Sequence, residues 1–335
     1  MAHTDVAFYV KITLIKERGA MFFSRSSVEH ATPSQFSETN RGKFHMIIDK
    51  LYESVSLKGP VCVGLDTDLS YIPEELIDKF DSDSERLFAF NKAIIDSTLD
   101  VSAVYKVQIA YYESLGLEGL KAYSKTLKYI KEAGALSIAD VKRGDIAKTA
   151  EMYAAAHFSG DFEADFMTIS PYMGLDTLEP YFDFIKDREK GLFVLVRTSN
   201  PGSNDFEYLE TSDGGKVYEI VGRGVQQVGE QFTGQCGYSS IGAVMGCTHS
   251  DEVEKMRALL KTTFFLIPGY GAQGGKAEDV ARYMKDGNGG IVNSSRGILL
   301  AYRKQFKDMP FYEAARAEVV RMRDEILEAV KGNGM

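Results

Sequence analysis

Cysteine is scarce in this chain: Cys62, Cys236 and Cys247 are the only three, and no two stand in a CxxC pair. So sparse and odd a set speaks against a disulfide framework or a zinc cluster and for a reducing compartment. No stretch reaches the roughly 18 consecutive apolar residues needed to cross a bilayer, and no apolar leader ends in a small-residue cleavage site. Basic residues are outnumbered, 39 against 48 acidic, for a net charge of −9. That balance argues against nucleic-acid or anionic-membrane partners and leaves room for a local basic pocket for a small anion. The expectation is a soluble, cytoplasmic protein. A GxGxxG dinucleotide fingerprint is also missing.

What is present is an ordinary globular composition, 44% hydrophobic and 26% charged over 335 residues, enough for one (β/α) barrel or two smaller domains. Residues 1–45 stand apart. They mix Val6-Ala7-Phe8-Tyr9-Val10 with scattered charges and a polar Ser/Thr/Asn stretch, and are expected to form a poorly ordered, dispensable N-terminal extension. From Met46 a strand–helix alternation runs to the end, so residues 46–335 are expected to form the catalytic domain.

The apolar runs place strands at 61–66, 103–108, 135–142, 165–169, 191–197, 241–245, 263–267 and 290–293. Helical patterns lie between them, at 85–95 behind the capping pair Ser82 and Glu85, and at 117–131, 145–156, 175–185, 216–231, 251–260, 277–285 and 310–330. Asp145 occupies the expected N-cap of the third. The polar segment 199–215 is a loop long enough to be functional or mobile. Eight alternations with strands too apolar to face water imply an α/β fold, a closed (β/α)₈ TIM barrel. A doubly wound open sheet is the alternative.

In such a barrel the chemistry sits at the C-terminal strand ends, and there the charges gather: Asp66, Lys106, Asp140, Lys142 and, after the last strand, Arg296. Strand alternation puts Asp140 and Lys142 on one face. Solubility does not explain charges at successive strand ends; satisfied salt bridges across a barrel mouth are the plainer alternative. The glycine-rich 268–275 segment, with Gln273, and Arg296 in the next loop suit a phosphate. Cys247-Thr248-His249 lacks an acid partner and reads as ordinary structure.

The run Ala139-Asp140-Val141-Lys142-Arg143-Gly144-Asp145-Ile146, with Asp66 and Lys106 ahead and Pro268, Gln273, Asn293 and Arg296 behind, resembles the orotidine 5′-phosphate decarboxylase family. The length and the loop after the fifth strand are similar to its longer bacterial and protozoan branch. The resemblance implies cofactor-free conversion of orotidine 5′-phosphate to uridine 5′-phosphate and CO₂ in de novo pyrimidine synthesis. It makes Lys142 the proton donor to C6, sets Asp140 against the substrate carboxylate, and completes a charge array with Lys106 and Asp145. It assigns Asp66 and Lys106 to the ribose hydroxyls, Thr198 or Ser199 to the pyrimidine edge, and Gln273 and Arg296 to the phosphate. Gln108 (where relatives often carry Asn), Ile146, Pro268 and Ser295 complete the implied substrate contacts. Asp145 and Thr149 would come from a partner subunit, which implies a homodimer with shared sites; no metal is implied.

Three other readings remain open at this stage. Mg²⁺-dependent sugar-phosphate decarboxylases and synthases of the same superfamily share the Asp-x-Lys-x-x-Asp motif, but carry an acid where this chain has Lys106. A catalytically silent nucleotide-phosphate binding protein would keep Arg296 and Gln273 without needing Lys142. A Schiff-base aldolase needs an uncharged lysine, which flanking acids disfavour.

Overall fold

Nearly every strand residue is buried, which in a parallel sheet requires cover on both faces. The computed structural model describes residues 46–333 apart from 213, 247–249 and 272–274. The expected extension at 1–45, Gln273 and Cys247-Thr248-His249 lie outside the described residues. The strands are β1 Val61–Gly64, β2 Val104–Gln108, β3 Ser137–Arg143, β4 Phe166–Ile169, β5 Gly191–Arg197, β6 Ser239–Met245, β7 Thr263–Ile267 and β8 Gly290–Ser294. They pair in parallel in chain order, and β1 closes onto β8 through Cys62 and Asn293. The barrel expected from the sequence is the one observed.

The interior is filled by large side chains that two glycines make room for. The rings of Phe166 and Phe193 lie 5.3 Å apart. A Cβ on Gly191 would stand 2.4 Å from the Phe166 ring, and one on Gly242 2.7 Å from the Phe193 ring. Close-packed interiors do not absorb such overlaps cheaply. Outside, the last helix, Phe311–Asn333, packs on Asp83–Thr98 through stacked Phe90 and Phe311, 4.9 Å apart, and closes the helical ring.

Several local expectations need correction. Helix Ile47–Lys58 precedes β1 and covers the N-terminal end of the barrel: Ser54 Oγ donates to Ala103 O, Cys236 N donates to Asp49, and Asn288 Nδ2 donates to Tyr52 O. Its buried stripe of Ile47, Ile48, Leu51 and Val55 has helical spacing. Strand β1 stops at Gly64, so Asp66 stands in the loop beyond it. Asp145 is not an N-cap. The helix is Ala147–Phe158 with Ile146 at the cap, and Asp145 Oδ1 accepts from Ile146 N at 2.8 Å, too early in the chain to serve the first turn. The 175–185 segment is a 3₁₀ helix, Leu175–Tyr181, followed by the α-helix Phe182–Asp187, because Pro180 has no N–H to give an α-turn. The 199–215 loop holds a 3₁₀ turn, Pro201–Asp205, and is pinned where Glu210 pairs with Lys216.

Candidate active site

Lys106 is the centre of the site. Its position on β2 buries the ammonium almost completely, and two acids from the neighbouring strand ends meet it: Asp140 Oδ2 at 2.8 Å and Asp66 Oδ1 at 3.3 Å. The other oxygen of Asp140 takes Lys142 Nζ at 2.6 Å. Asp66, Lys106, Asp140 and Lys142 thus form a line of alternating charge across β1, β2 and β3. Burial on its own would push the Lys106 ammonium down, but Asp140 and Asp66 outweigh it and hold the group well above its ordinary range. Burial likewise raises Asp140, and Lys106 with Lys142 overcomes that and holds the carboxyl well below the usual carboxylate range. Removing either partner would strand a charge out of water.

Asp140 and Lys142 meet by a different route from simple alternation. The β3–β4 register shifts between Ala139 and Arg143, and Lys142 has φ +45°, in the left-handed region that a non-glycine residue enters at a cost. At the bulge two successive N–H groups turn to a single side-chain partner. Thr168 of β4 supplies it: its Oγ1 accepts from Val141 N and from Lys142 N, both at 2.9 Å, and donates to Asp140 Oδ1 at 3.0 Å. Only the Lys142 side chain stays open, 48% exposed against 8% for that of Asp140.

The end of β1 rests on a buried polar network. Thr67 donates to Asn91 Oδ1 at 2.7 Å, Asn91 donates to Tyr112 at 2.8 Å, and Tyr112 donates to Leu65 O at 3.1 Å, which fixes the backbone beside Asp66. Gly64 lets β8 approach, since a Cβ there would stand 2.0 Å from Ser295 Oγ. Cys62 is fully buried, and burial pushes its thiol up to about 12, so it belongs to the core.

Beyond β5, Arg197 is only 1% exposed. Its Nη1 donates to Thr198 O, Ser203 Oγ and Glu207 Oε2, at 2.6, 2.6 and 2.9 Å, and its Nε reaches Glu252 at 3.4 Å. Glu207 also accepts from Thr198 N at 3.0 Å and from Thr198 Oγ1 at 2.6 Å. The Thr198 side chain is therefore engaged inside the loop, and both Thr198 and its neighbour Ser199 line the central cavity with Lys106, Asp140, Lys142, Thr168, Asn200 and Pro268. Leu195, Val244 and Leu266 give that cavity an apolar wall.

Of the site residues expected from sequence, Asp66, Lys106, Asp140 and Lys142 come together, and Thr198, Ser199 and Pro268 line or support the same cavity. Ser295 sits at the β1–β8 junction, and Arg296 is exposed at the start of the short helix Arg296–Leu299. Gln108, at the end of β2, turns its Oε1 back to accept from Ala110 N at 3.3 Å. Asp145, Ile146 and Thr149 do not line this chain's own cavity; Ile146 and Thr149 are exposed. Sequence reading missed Thr168, Asn200 and the apolar wall. Thr168 did leave a signal, as the lone polar residue in the strand Phe166–Ile169.

Comparison with known proteins agrees with this geometry. Residues 59–306 match the family model described as "Orotidine 5'-phosphate decarboxylase / HUMPS family". The chain is 63% identical over 284 residues to the orotidine 5′-phosphate decarboxylase of Clostridium kluyveri, covering 84% of this chain and 98% of that one. Against the Clostridium tetani enzyme of the same name the identity is 61% over 285 residues, 85% and 99% of the two chains. The solved structure of Leishmania donovani OMP decarboxylase superposes with a TM-score of 0.67 at 29% identity, over 85% of this chain and 99% of that one. With its closed barrel and its charges at the first three strand ends, the chain belongs to the orotidine 5′-phosphate decarboxylase family.

Proposed function

We propose that this chain decarboxylates orotidine 5′-phosphate to uridine 5′-phosphate and CO₂ without a cofactor, a step of de novo pyrimidine synthesis. The observation that carries the reading is the buried line Asp66–Lys106–Asp140–Lys142, with its one open ammonium facing the cavity. Loss of CO₂ from C6 leaves an in-plane carbanion that the ring π system does not delocalise. Lys142 stabilises that charge as it forms and then protonates C6, while Asp140 opposes the substrate carboxylate more than the product. At about 4 Å and an effective dielectric near 20, one such contact is worth up to ~4 kcal/mol, roughly three decades of rate. Several must act together, so binding energy from the phosphate has to contribute as well.

In this reading Asp66 and Lys106 hold the ribose hydroxyls, and the base lies against Leu195, Val244 and Leu266. Thr198 or Ser199, both on the cavity wall, reads the pyrimidine edge. Arg296 and Gln273 grip the phosphate, with Pro268, Ser295 and Gln108 around the nucleotide. Asp145, Ile146 and Thr149 act in the site of a partner subunit within a homodimer. An exposed apolar group supports that arrangement: Ile146, Met152, Tyr172 and Met173 are 52, 52, 84 and 50% exposed, on segments tied where Ser170 N donates to Arg143 O. We assign the protein to the cytoplasm. Its few cysteines support this, and among the described residues no helix is long and apolar enough to cross a membrane.

A metal-dependent relative would need a cation site between Asp66 and Asp140, and the Lys106 ammonium already fills that space. The test is loss of orotidine 5′-phosphate absorbance with EDTA present. Full turnover is expected; turnover that requires added Mg²⁺, or nucleotide binding without turnover, would overturn the reading.

A further inference from the structure

Asp140 is held at three points, and they are not equivalent. Lys106 takes Oδ2, while Lys142 and Thr168 share Oδ1. A lysine that delivers a proton elsewhere must let go of Oδ1, and Lys142 is the exposed one of the three. Thr168 cannot let go without breaking the bulge. A hydroxyl has one proton and two lone pairs; here Val141 N and Lys142 N occupy both lone pairs, so the proton has a single direction left, toward Asp140. The group is 1% exposed, and a β-branched side chain on a strand has little rotamer freedom.

We infer that Thr168 is the positioning residue of this site: one hydroxyl fixes both the Asp140 carboxylate and the left-handed backbone of Lys142, so that the ammonium can leave while the acid stays. The same atom thereby sets the point from which Lys142 reaches and the place of the charge it leaves behind. The inference deepens the decarboxylase reading and rests on it. It assigns Thr168 a role that acts through Asp140 and Lys142.

The test compares Thr168→Val, which keeps the shape and removes the hydroxyl, with Thr168→Ser, which restores it. For Thr168→Val, well below its melting temperature, kcat should fall on the order of tenfold to a hundredfold. KM and the affinity for uridine 5′-phosphate should stay within about threefold of wild type, and Thr168→Ser should recover most of the loss. A Thr168→Val kcat within about twofold of wild type, or equal losses in the valine and serine variants, would overturn the inference. Should the valine variant not fold, Thr168→Cys, with only a weak donor and acceptor, is read by the same criteria. A crystal structure of the folded variant gives a reading independent of turnover. Asp140 turned from its place or Lys142 out of positive φ is expected, and both unmoved would contradict the inference even if the substrate proved to be different.

Discussion

Lys106 Nζ lies 2.8 Å from Asp140 Oδ2, and both side chains are less than one-tenth exposed. Each group is held charged in the barrel chiefly by the other, with Asp66 adding to the hold on Lys106 and Lys142 to that on Asp140. Lys106→Met should therefore leave Asp140 short of a partner and cost about 3 to 5 kcal/mol of stability, read from urea midpoints. Adding Asp140→Leu should return much of that loss, since an apolar pair replaces an ionic one, while activity stays absent. A Lys106→Met chain as stable as wild type would contradict the mutual dependence.

Asp145, Ile146 and Thr149 stand outside their own chain's cavity, so a partner must bring them in if they act. Mixing inactive Asp145→Ala and Lys142→Ala chains should restore activity, because each mixed dimer assembles one site free of both substitutions. Verified mixed dimers that stay inactive would count against shared sites.

In the last turn of helix Ala147–Phe158, His157 is buried beside Arg143, and burial first, then that guanidinium, pushes its imidazole down to about 4 from 6.5. In this pH range the unfolded chain takes up the proton before the folded one. Stability is therefore fully present above about pH 6.5 and declines as the pH falls toward about 4. Between pH 7 and 5, wild type should lose about 2 kcal/mol more than His157→Phe. Asp140 has the opposite cause but the same sign, and its share is lost only below the ordinary carboxylate range, so the two windows separate. Equal pH slopes for wild type and variant would refute the His157 contribution.

The fold was legible because most strands are built on apolar runs, as at Gly191–Arg197 and Thr263–Ile267, whose observed bounds match the sequence reading. The core of the site was legible because Asp66, Lys106, Asp140 and Lys142 stand where charge has no structural excuse. What escaped depends on distant partners. Thr168 matters through a bulge that no periodicity announces. Arg197, also at a strand end, turns out to be a buried anchor for Glu207 and Glu252, ten and fifty-five residues away. Asp145 looked like a cap because its type and place were right, yet the chain leaves β3 through a bulge and starts the helix two residues later.

The most direct measurement of the central claim is the turnover of Lys142→Ala, with uridine 5′-phosphate binding measured on the same preparation. The account predicts that decarboxylation is lost almost entirely while product binding remains measurable. Near-normal turnover would contradict it, because the ammonium at the open end of the charge line would then have no part in breaking the bond.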